Sequence, residues 1–409
     1  MTVATPSAAG EPAHITKTDE RRALAVACGT HALHDGYTDL VYVMLPIWKD
    51  EFGINLADVG LLRTCFSGTL AALQIPSGLI SERFGTALVL ALGTALVGVG
   101  YCLAGVSVGF VTLVVALLIG GAGASVQHPL GSALVARAFS GPRSLRALGT
   151  YNFAGDIGKM TLPAAASILL LLMPWQPTLA MLGMLGLVAA LGIFQLTPRF
   201  PAEPAPIKKE TNVANVAEVT SAPRSRFGFP LLLSIGMLDS ATRMAFLTFL
   251  PFLLIGKGAA LPTIGLSLTL VFAGGAAGKL VCAFIGARIG VIRTVYLTEG
   301  LTTVGILALL PLPLEAALVL LPVIGIALNG TSSVVYGSVP ELVKPEKRAR
   351  AFGIFYTGTI GTGAAAPAIY GFLGDQIGLT MALIVAACTC LLTLPLAMAL
   401  KPDFANARA

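Results

Sequence analysis

The sequence predicts an all-α membrane protein of twelve transmembrane helices in two pseudo-symmetric six-helix halves. Three observations predict it. Apolar segments of about 20–28 residues, rich in Gly, Ala, Leu and Val, recur from Ala23 to Leu400, and a bilayer crossing needs about 20 such residues. Charged residues make up only 11% of the 409, and the mean hydropathy is +0.85, too apolar for a water-soluble fold of this length. The two halves of the chain also repeat each other in sequence.

The apolar periods place helices at 22–47, 57–80, 86–106, 108–138, 145–173 and 177–197 in the first half. They place the second six at 228–256, 262–286, 291–313, 315–340, 348–373 and 378–400. Residues 1–21 read as a polar tail with no apolar signal-peptide core, so the first helix is expected to stay in the mature protein. Residues 22–197 form one half and 228–400 the other. The stretch 198–227, rich in Pro, Glu, Lys, Ser and Thr, reads as a solvated linker, and 401–409 as a second tail.

The net charge of +6 raises the question of nucleic acid, and its distribution answers it. Of the 26 Lys and Arg, only Lys49 and Lys257 fall in loops on the far side, and Arg63, Lys159, Arg243 and Lys279 fall inside segments. The remaining 20 collect on the side of the termini, as the retention of positive residues in the cytoplasm requires. The excess is therefore topological, with no nucleic-acid partner, and both termini are expected in the cytoplasm of a bacterial inner membrane. The six cysteines, Cys28, Cys65, Cys102, Cys282, Cys388 and Cys390, form no CxxC pair and read as small buried hydrophobes. Gly120-Gly-Ala-Gly123 is a helix-packing stretch rather than a phosphate loop, and there is no Walker pattern. There is no HExxH and no Gly-x-Ser-x-Gly with its catalytic partners, so neither an enzyme nor a cofactor is expected.

The repeat has an offset of about 203–206 residues. Asp35-Gly-Tyr-Thr38-Asp39 with Pro46 matches Asp239-Ser-Ala-Thr242-Arg243 with Pro251, and Gly60-Leu61 matches Gly265-Leu266. Arg83-Phe-Gly85 matches Arg288-Ile-Gly290. Arg146-Ala-Leu-Gly149 matches Arg350-Ala-Phe-Gly353, and Gly155-Asp-Ile-Gly158 matches Gly358-Thr-Ile-Gly361. Five matches in one order indicate duplication, and parallel six-helix repeats are a transporter architecture with its site between the halves.

With these residues the sequence resembles the major facilitator superfamily from Arg22 onward. Gly78-Leu-Ile-Ser-Glu82-Arg83-Phe-Gly85 is similar to that family's loop between its second and third helices, G-x-L-x-D-R-x-G-R-K. Glu82 replaces the Asp, and Thr86-Ala87 replace the basic pair. The resemblance implies alternating access by rocking of the halves. It also implies that Gly78, Glu82, Arg83 and Gly85, with the repeated Arg288 and Gly290, form a conformational loop. His31-x-x-x-Asp35 with Pro46, Glu51-Phe52-Gly53, His128-Pro129 and Ala136-Arg137-Ala138 resemble the fosmidomycin-resistance branch. The chain departs from that branch at Gly158-Lys159, where a Gly-Pro is usual, with Pro163 one turn later.

Ionisable groups at bilayer depth cost several kcal/mol unless paired or hydrated, so they mark function by default. The candidate proton-coupling carboxylates are Asp35, Asp39, Asp156 and Asp239, and Asp35 lies mid-helix among His31, His34 and Thr38 at i, i+3, i+4 spacing. The candidate substrate-binding cations are Arg63, Lys159, Arg243 and Lys279, suited to an anion. Each cation has a structural alternative in an acid: Arg63 with Asp39, Arg243 with Asp239, Lys159 with Asp156. His34, Tyr37, Gln127, His128, Asn152, Asn329 and Tyr356 are candidate polar lining, and interhelical hydrogen bonding is the alternative for each. Glu299 is expected to be peripheral or structural.

The expected function is a monomeric, proton-coupled carrier of a small organic anion or anionic antibiotic, acting by exchange and export. Uptake by symport uses the same parts. The donor types of His31, His34, Asp35, Asp39 and His128 also suit a divalent transition metal, although four nearby cations oppose that reading and no metal site is assigned. A membrane ligand sensor is a further alternative, with no appended soluble domain to relay its signal.

Overall fold

A computed structural model describes residues 16–200, 227–344 and 347–408, so the 1–21 tail and the 198–227 linker lie largely outside the described residues. All regular structure among these residues is helical, and the elements follow the expected order. In the first half they are α1 (Lys17–Phe52), α2 (Leu56–Phe84), α3 (Thr86–Gly105), α4 (Phe110–Ala138), α5 (Pro142–Leu172) and α6 (Trp175–Leu196). In the second they are α7 (Gly228–Gly256), α8 (Leu261–Ile289), α9 (Val291–Leu309), α10 (Leu314–Leu342), α11 (Arg348–Ile377) and α12 (Leu379–Pro402).

Ten of these are long and apolar enough to cross a bilayer; α1 and α11 are long enough, but polar residues interrupt their apolar runs. In α1 the interruption is the His31–Asp39 set, in a helix five residues longer at its start than the apolar run. A capping box supplies that extension: the Thr16 hydroxyl accepts from the Asp19 amide, and the Asp19 carboxylate accepts from Thr16. These bonds hold the exposed Asp19 carboxyl below its ordinary range. Breaks in α4 at Ser125, in α10 at Ser338 and in α12 at Leu392 each precede a proline, at Pro129, Pro340 and Pro395. Proline offers no N–H to the preceding turn, so the ladder fails there.

The repeat is visible in backbone geometry. Gly85 after α2 and Gly290 after α8 both have φ +85°, and each amide bonds the carbonyl four residues back, Ser81 and Gly286. A left-handed residue is needed at both turns, which is why glycine recurs there.

The cross-half seams are also built twice. The start of α2 packs on the end of α11, and the second half of α5 packs on the start of α8. A Cβ on Gly60 would lie 2.0 Å from the Pro367 carbonyl oxygen, and one on Gly265 would lie 2.3 Å from Ser167 Oγ. The Thr64 hydroxyl donates to the Ala364 carbonyl at 2.7 Å, and its counterpart Thr269 donates to Met160 at 2.9 Å. At the α2–α11 seam alone, the Asp375 carboxylate accepts from the Leu56 and Ala57 amides at 2.9 and 2.8 Å. It thus caps α2 from the other half.

All these contacts lie toward the face opposite the termini. Toward the terminal face, Asn152 and Phe153 of α5 and Tyr356 and Thr357 of α11 are exposed. The halves are therefore closed together on the far face and parted on the terminal one. A cleft between them opens toward the termini.

Candidate functional site

The charged groups gather where α1 meets α5, and glycine sets the distance. A Cβ on Gly158 would lie 1.8 Å from the Ala32 carbonyl oxygen, and one on Gly36 would lie 2.7 Å from Leu162 Cβ. The helices pack backbone to backbone, so residues beside this contact face each other at short range. Gly155, where a Cβ would sit 2.7 Å from Asp35 Oδ2, leaves room for the α1 carboxylate.

Asp35 is buried at 5% exposure and is ringed by the nitrogens of one lysine and three histidines. Lys159 Nζ lies 3.3 Å and His31 Nε2 3.4 Å from Oδ2; His34 Nε2 lies 3.8 Å and His128 Nε2 4.0 Å from Oδ1. His31 is oriented from behind, with Nδ1 2.8 Å from the Tyr151 carbonyl and its ring stacked on Tyr151 at 4.1 Å. The break in α4 brings His128 to the cleft, where its side chain is 44% exposed.

A second pair joins the halves. Lys279 Nζ of α8 donates to both carboxylate oxygens of Asp156 on α5, at 2.6 and 2.8 Å. This overturns the expected local pairing of Lys159 with Asp156. Three residues make about 300° of helix, so Lys159 and Asp156 diverge by about 60°. With α1 on one side of α5 and α8 on the other, each meets a different neighbour. Lys159 and Lys279 are 30% and 38% exposed, and their acids are buried. Both lysines thus line the open cleft from opposite halves.

The other two expected pairs form. Arg243 lies 3.7 Å from Asp239, and Arg63 lies 3.8 Å from Asp39. Arg63, however, does not reach the cleft in this conformation. It is 3% exposed, donates to the Thr38 carbonyl and the Tyr42 hydroxyl, and stacks 4.4 Å from the Tyr42 ring centre. A guanidinium so enclosed ties α2 to α1. Arg243, at 16% exposure, is intermediate.

The expected polar lining divides. Asn152 and Tyr356 stand in the cleft, with Tyr356 edge-on to Tyr336 at 5.1 Å, and His34 is buried behind Asp35. Tyr37 and Gln127 are corrected to interhelical ties. The Tyr37 hydroxyl donates to the Leu182 carbonyl of α6, and Gln127 Nε2 donates to Thr30 Oγ1 at 3.0 Å. Both are buried, where a polar group needs such a partner. Asn329 donates to the Gly325 carbonyl of its own helix and packs against Gly275 in the α8–α10 seam. Gly78, Glu82 and Arg83 lie at the end of α2 on the terminal face, with Arg83 and Arg288 stacked on Phe84 and Phe284.

Glu299, expected to be peripheral or structural, is a buried tie between helices. It is 1% exposed, in contact with Asp239, and its Oε2 accepts from Cys390 Sγ at 2.6 Å. Its isolation in the apolar run of α9 was the available signal. The described residues also include one group with metal-ligand spacing: ligand atoms of His31, Asp35 and His128 all lie within 4.8 Å of one another.

The family model for the Major Facilitator Superfamily matches residues 28–253 and 232–407, nearly the whole chain. The chain belongs to the major facilitator superfamily. That family consists of membrane-embedded secondary transporters of small molecules, carriers rather than enzymes.

Among curated relatives it is similar to a probable L-galactonate transporter of Escherichia coli (strain K12), at 23% identity over 58% of this chain and 55% of that one. It is also similar to the fosmidomycin resistance protein of the same organism, at 26% identity over 34% of each chain. The matches thus span about half and a third of those relatives. Among solved structures, it resembles a bacterial homologue of the human lysosomal transporter Spinster in an inward-facing, unoccupied conformation. The TM-score is 0.80 at 15% identity, covering 96% of this chain and 99% of that one. A mutant of the nucleoside transporter NupG gives 0.73 at 15% identity, covering 94% and 100%.

Proposed function

We propose that this chain is a proton-coupled carrier of a small organic anion, working by alternating access as a monomer in a bacterial cytoplasmic membrane. With both termini in the cytoplasm, the cleft described above faces inward. The observation that carries the reading is the pair of cleft lysines, Lys159 and Lys279, each held by a buried aspartate, Asp35 and Asp156. An anion entering the cleft competes with those carboxylates for the two ammonium groups. Both curated relatives are named for anionic compounds: L-galactonate is a carboxylate and fosmidomycin a phosphonate.

The competition also sets the coupling. When an anion takes a lysine, the buried aspartate loses its counter-charge, and a proton restores neutrality. Anion and proton therefore bind together, and release of the proton returns the lysine to its acid and expels the anion. This geometry supports symport better than exchange, and under an inward proton gradient symport means uptake. Export by exchange is the second reading, favoured by the likeness to the fosmidomycin resistance protein.

Proteoliposomes separate the two without control of protein orientation. Symport predicts accumulation of L-galactonate or fosmidomycin when the outside is acid, and its loss with a protonophore. Accumulation only when the lumen is acid supports exchange and refutes symport; insensitivity to either gradient refutes proton coupling. Asp35→Asn is expected to lose gradient-driven accumulation.

A further inference from the structure

We propose that His31, Asp35 and His128, with His34 as a fourth donor, form a binding site for a divalent transition metal of the zinc class, filled in exchange for the Lys159 ammonium. The site does not depend on which anion the carrier moves, or on whether it moves one.

Ligand atoms of His31, Asp35 and His128 lie within 4.8 Å of one another, and His34 Nε2 approaches the same carboxylate. Zinc takes His nitrogen and carboxylate oxygen at about 2.0–2.2 Å in a tetrahedron, so neighbouring ligand atoms stand about 3.3–3.6 Å apart. His31 Nε2 is 3.4 Å from Asp35 Oδ2; His34 Nε2 and His128 Nε2 are 3.8 and 4.0 Å from Oδ1. The contraction needed falls mainly on His128, whose half-exposed ring can move and lies at the cleft.

The tautomer fits as well. His31 Nδ1 faces the Tyr151 carbonyl at 2.8 Å, an acceptor that places a proton on Nδ1, so in the neutral ring Nε2 carries the lone pair. That arrangement, a ligand imidazole donating its other N–H to a backbone carbonyl, is how metal-binding histidines are oriented. The Nε2 atoms of His31 and His34 are buried and have no hydrogen-bond partner, and both lie beside the carboxylate. A lone pair facing a carboxylate is repelled unless a proton or a metal cation stands between them.

Lys159 supplies the present counter-charge from 3.3 Å. Its flexible four-carbon stem and 30% exposure allow the ammonium to swing into the cleft when a metal arrives. The acids Asp39 and Asp156 also lie within electrostatic reach of Lys159 and remain to hold it. The carboxylate is thus never left bare, and lysine and metal exclude each other.

The test is titration calorimetry of detergent-purified, tag-free protein with ZnCl2, in a background whose six cysteines are replaced. One zinc per chain is expected. His128→Ala and His31→Ala should each weaken binding by more than about tenfold, the least that even outer-shell changes cause. Lys159→Ala should tighten it, a result that general damage to the fold would not produce. No saturable zinc binding in the parent protein would overturn the proposal. So would unchanged affinity in His128→Ala, whose exposed side chain can be removed without opening the core, or weaker binding in Lys159→Ala.

Discussion

A Gly60→Leu variant should be unable to close its far face and should populate the conformation open on that side. In the closed seam the Cβ alone would lie 2.0 Å from the Pro367 carbonyl oxygen, against about 3.4 Å for ordinary contact. The obstacle is backbone, on a helix whose neighbouring Ala364 carbonyl is already engaged by Thr64. Overpacking of this kind costs about 1–3 kcal/mol, a shift of about 5–150-fold in a two-state equilibrium. The cost falls on one conformation only, so the protein should fold but not cycle. Spin labels at Glu51 and Gln376 in a cysteine-free background read the seam directly. The inter-label distance should lengthen, and transport should fall at least tenfold. Gly265→Leu, at the repeat-related seam, should act alike. An unchanged distance with retained transport would show that the far-face seam is not part of the cycle.

The second large effect concerns the inter-half ion pair. Lys279→Ala leaves Asp156 buried without its partner, and breaking a fully buried pair costs about 3–5 kcal/mol. Because Lys279 is 38% exposed, we expect about 1–3 kcal/mol. Adding Asp156→Asn removes the orphaned charge and should recover most of that stability. Anion binding should not recover, because the ammonium is still missing. A double variant that regains both stability and transport would make the pair purely structural.

The fold was legible because membrane physics writes plainly: long apolar runs, few charges and basic residues on one side. The repeat was also legible at Gly60/Gly265, Gly85/Gly290 and Gly155, but not what those glycines do. Their roles depend on which backbone stands opposite. Gly60 meets Pro367 some 300 residues away, and no spacing within one helix reveals that. The same limit explains the pairing of the lysines. Helical spacing put Lys159 within reach of Asp156, whereas the close α1–α5 contact offered it Asp35 and left Asp156 to Lys279. Arg63 looked like a cavity cation because burial by Tyr42 and Thr38 is a tertiary fact. For Glu299 the sequence left peripheral and structural roles open, because its neighbours Asp239 and Cys390 come from α7 and α12.

The most direct test of the central claim is the ligand-induced thermal shift of purified protein with fosmidomycin and with L-galactonate. A ligand that binds only the folded state adds about 2.7 kcal/mol at a hundredfold excess over Kd. At least one of these anions should raise the melting temperature of the parent protein, and the increment should vanish in Lys159→Ala and in Lys279→Ala, each read against its own unliganded baseline. An increment that survives in both variants, or stabilisation by cationic compounds alone, would contradict the anion site between the halves.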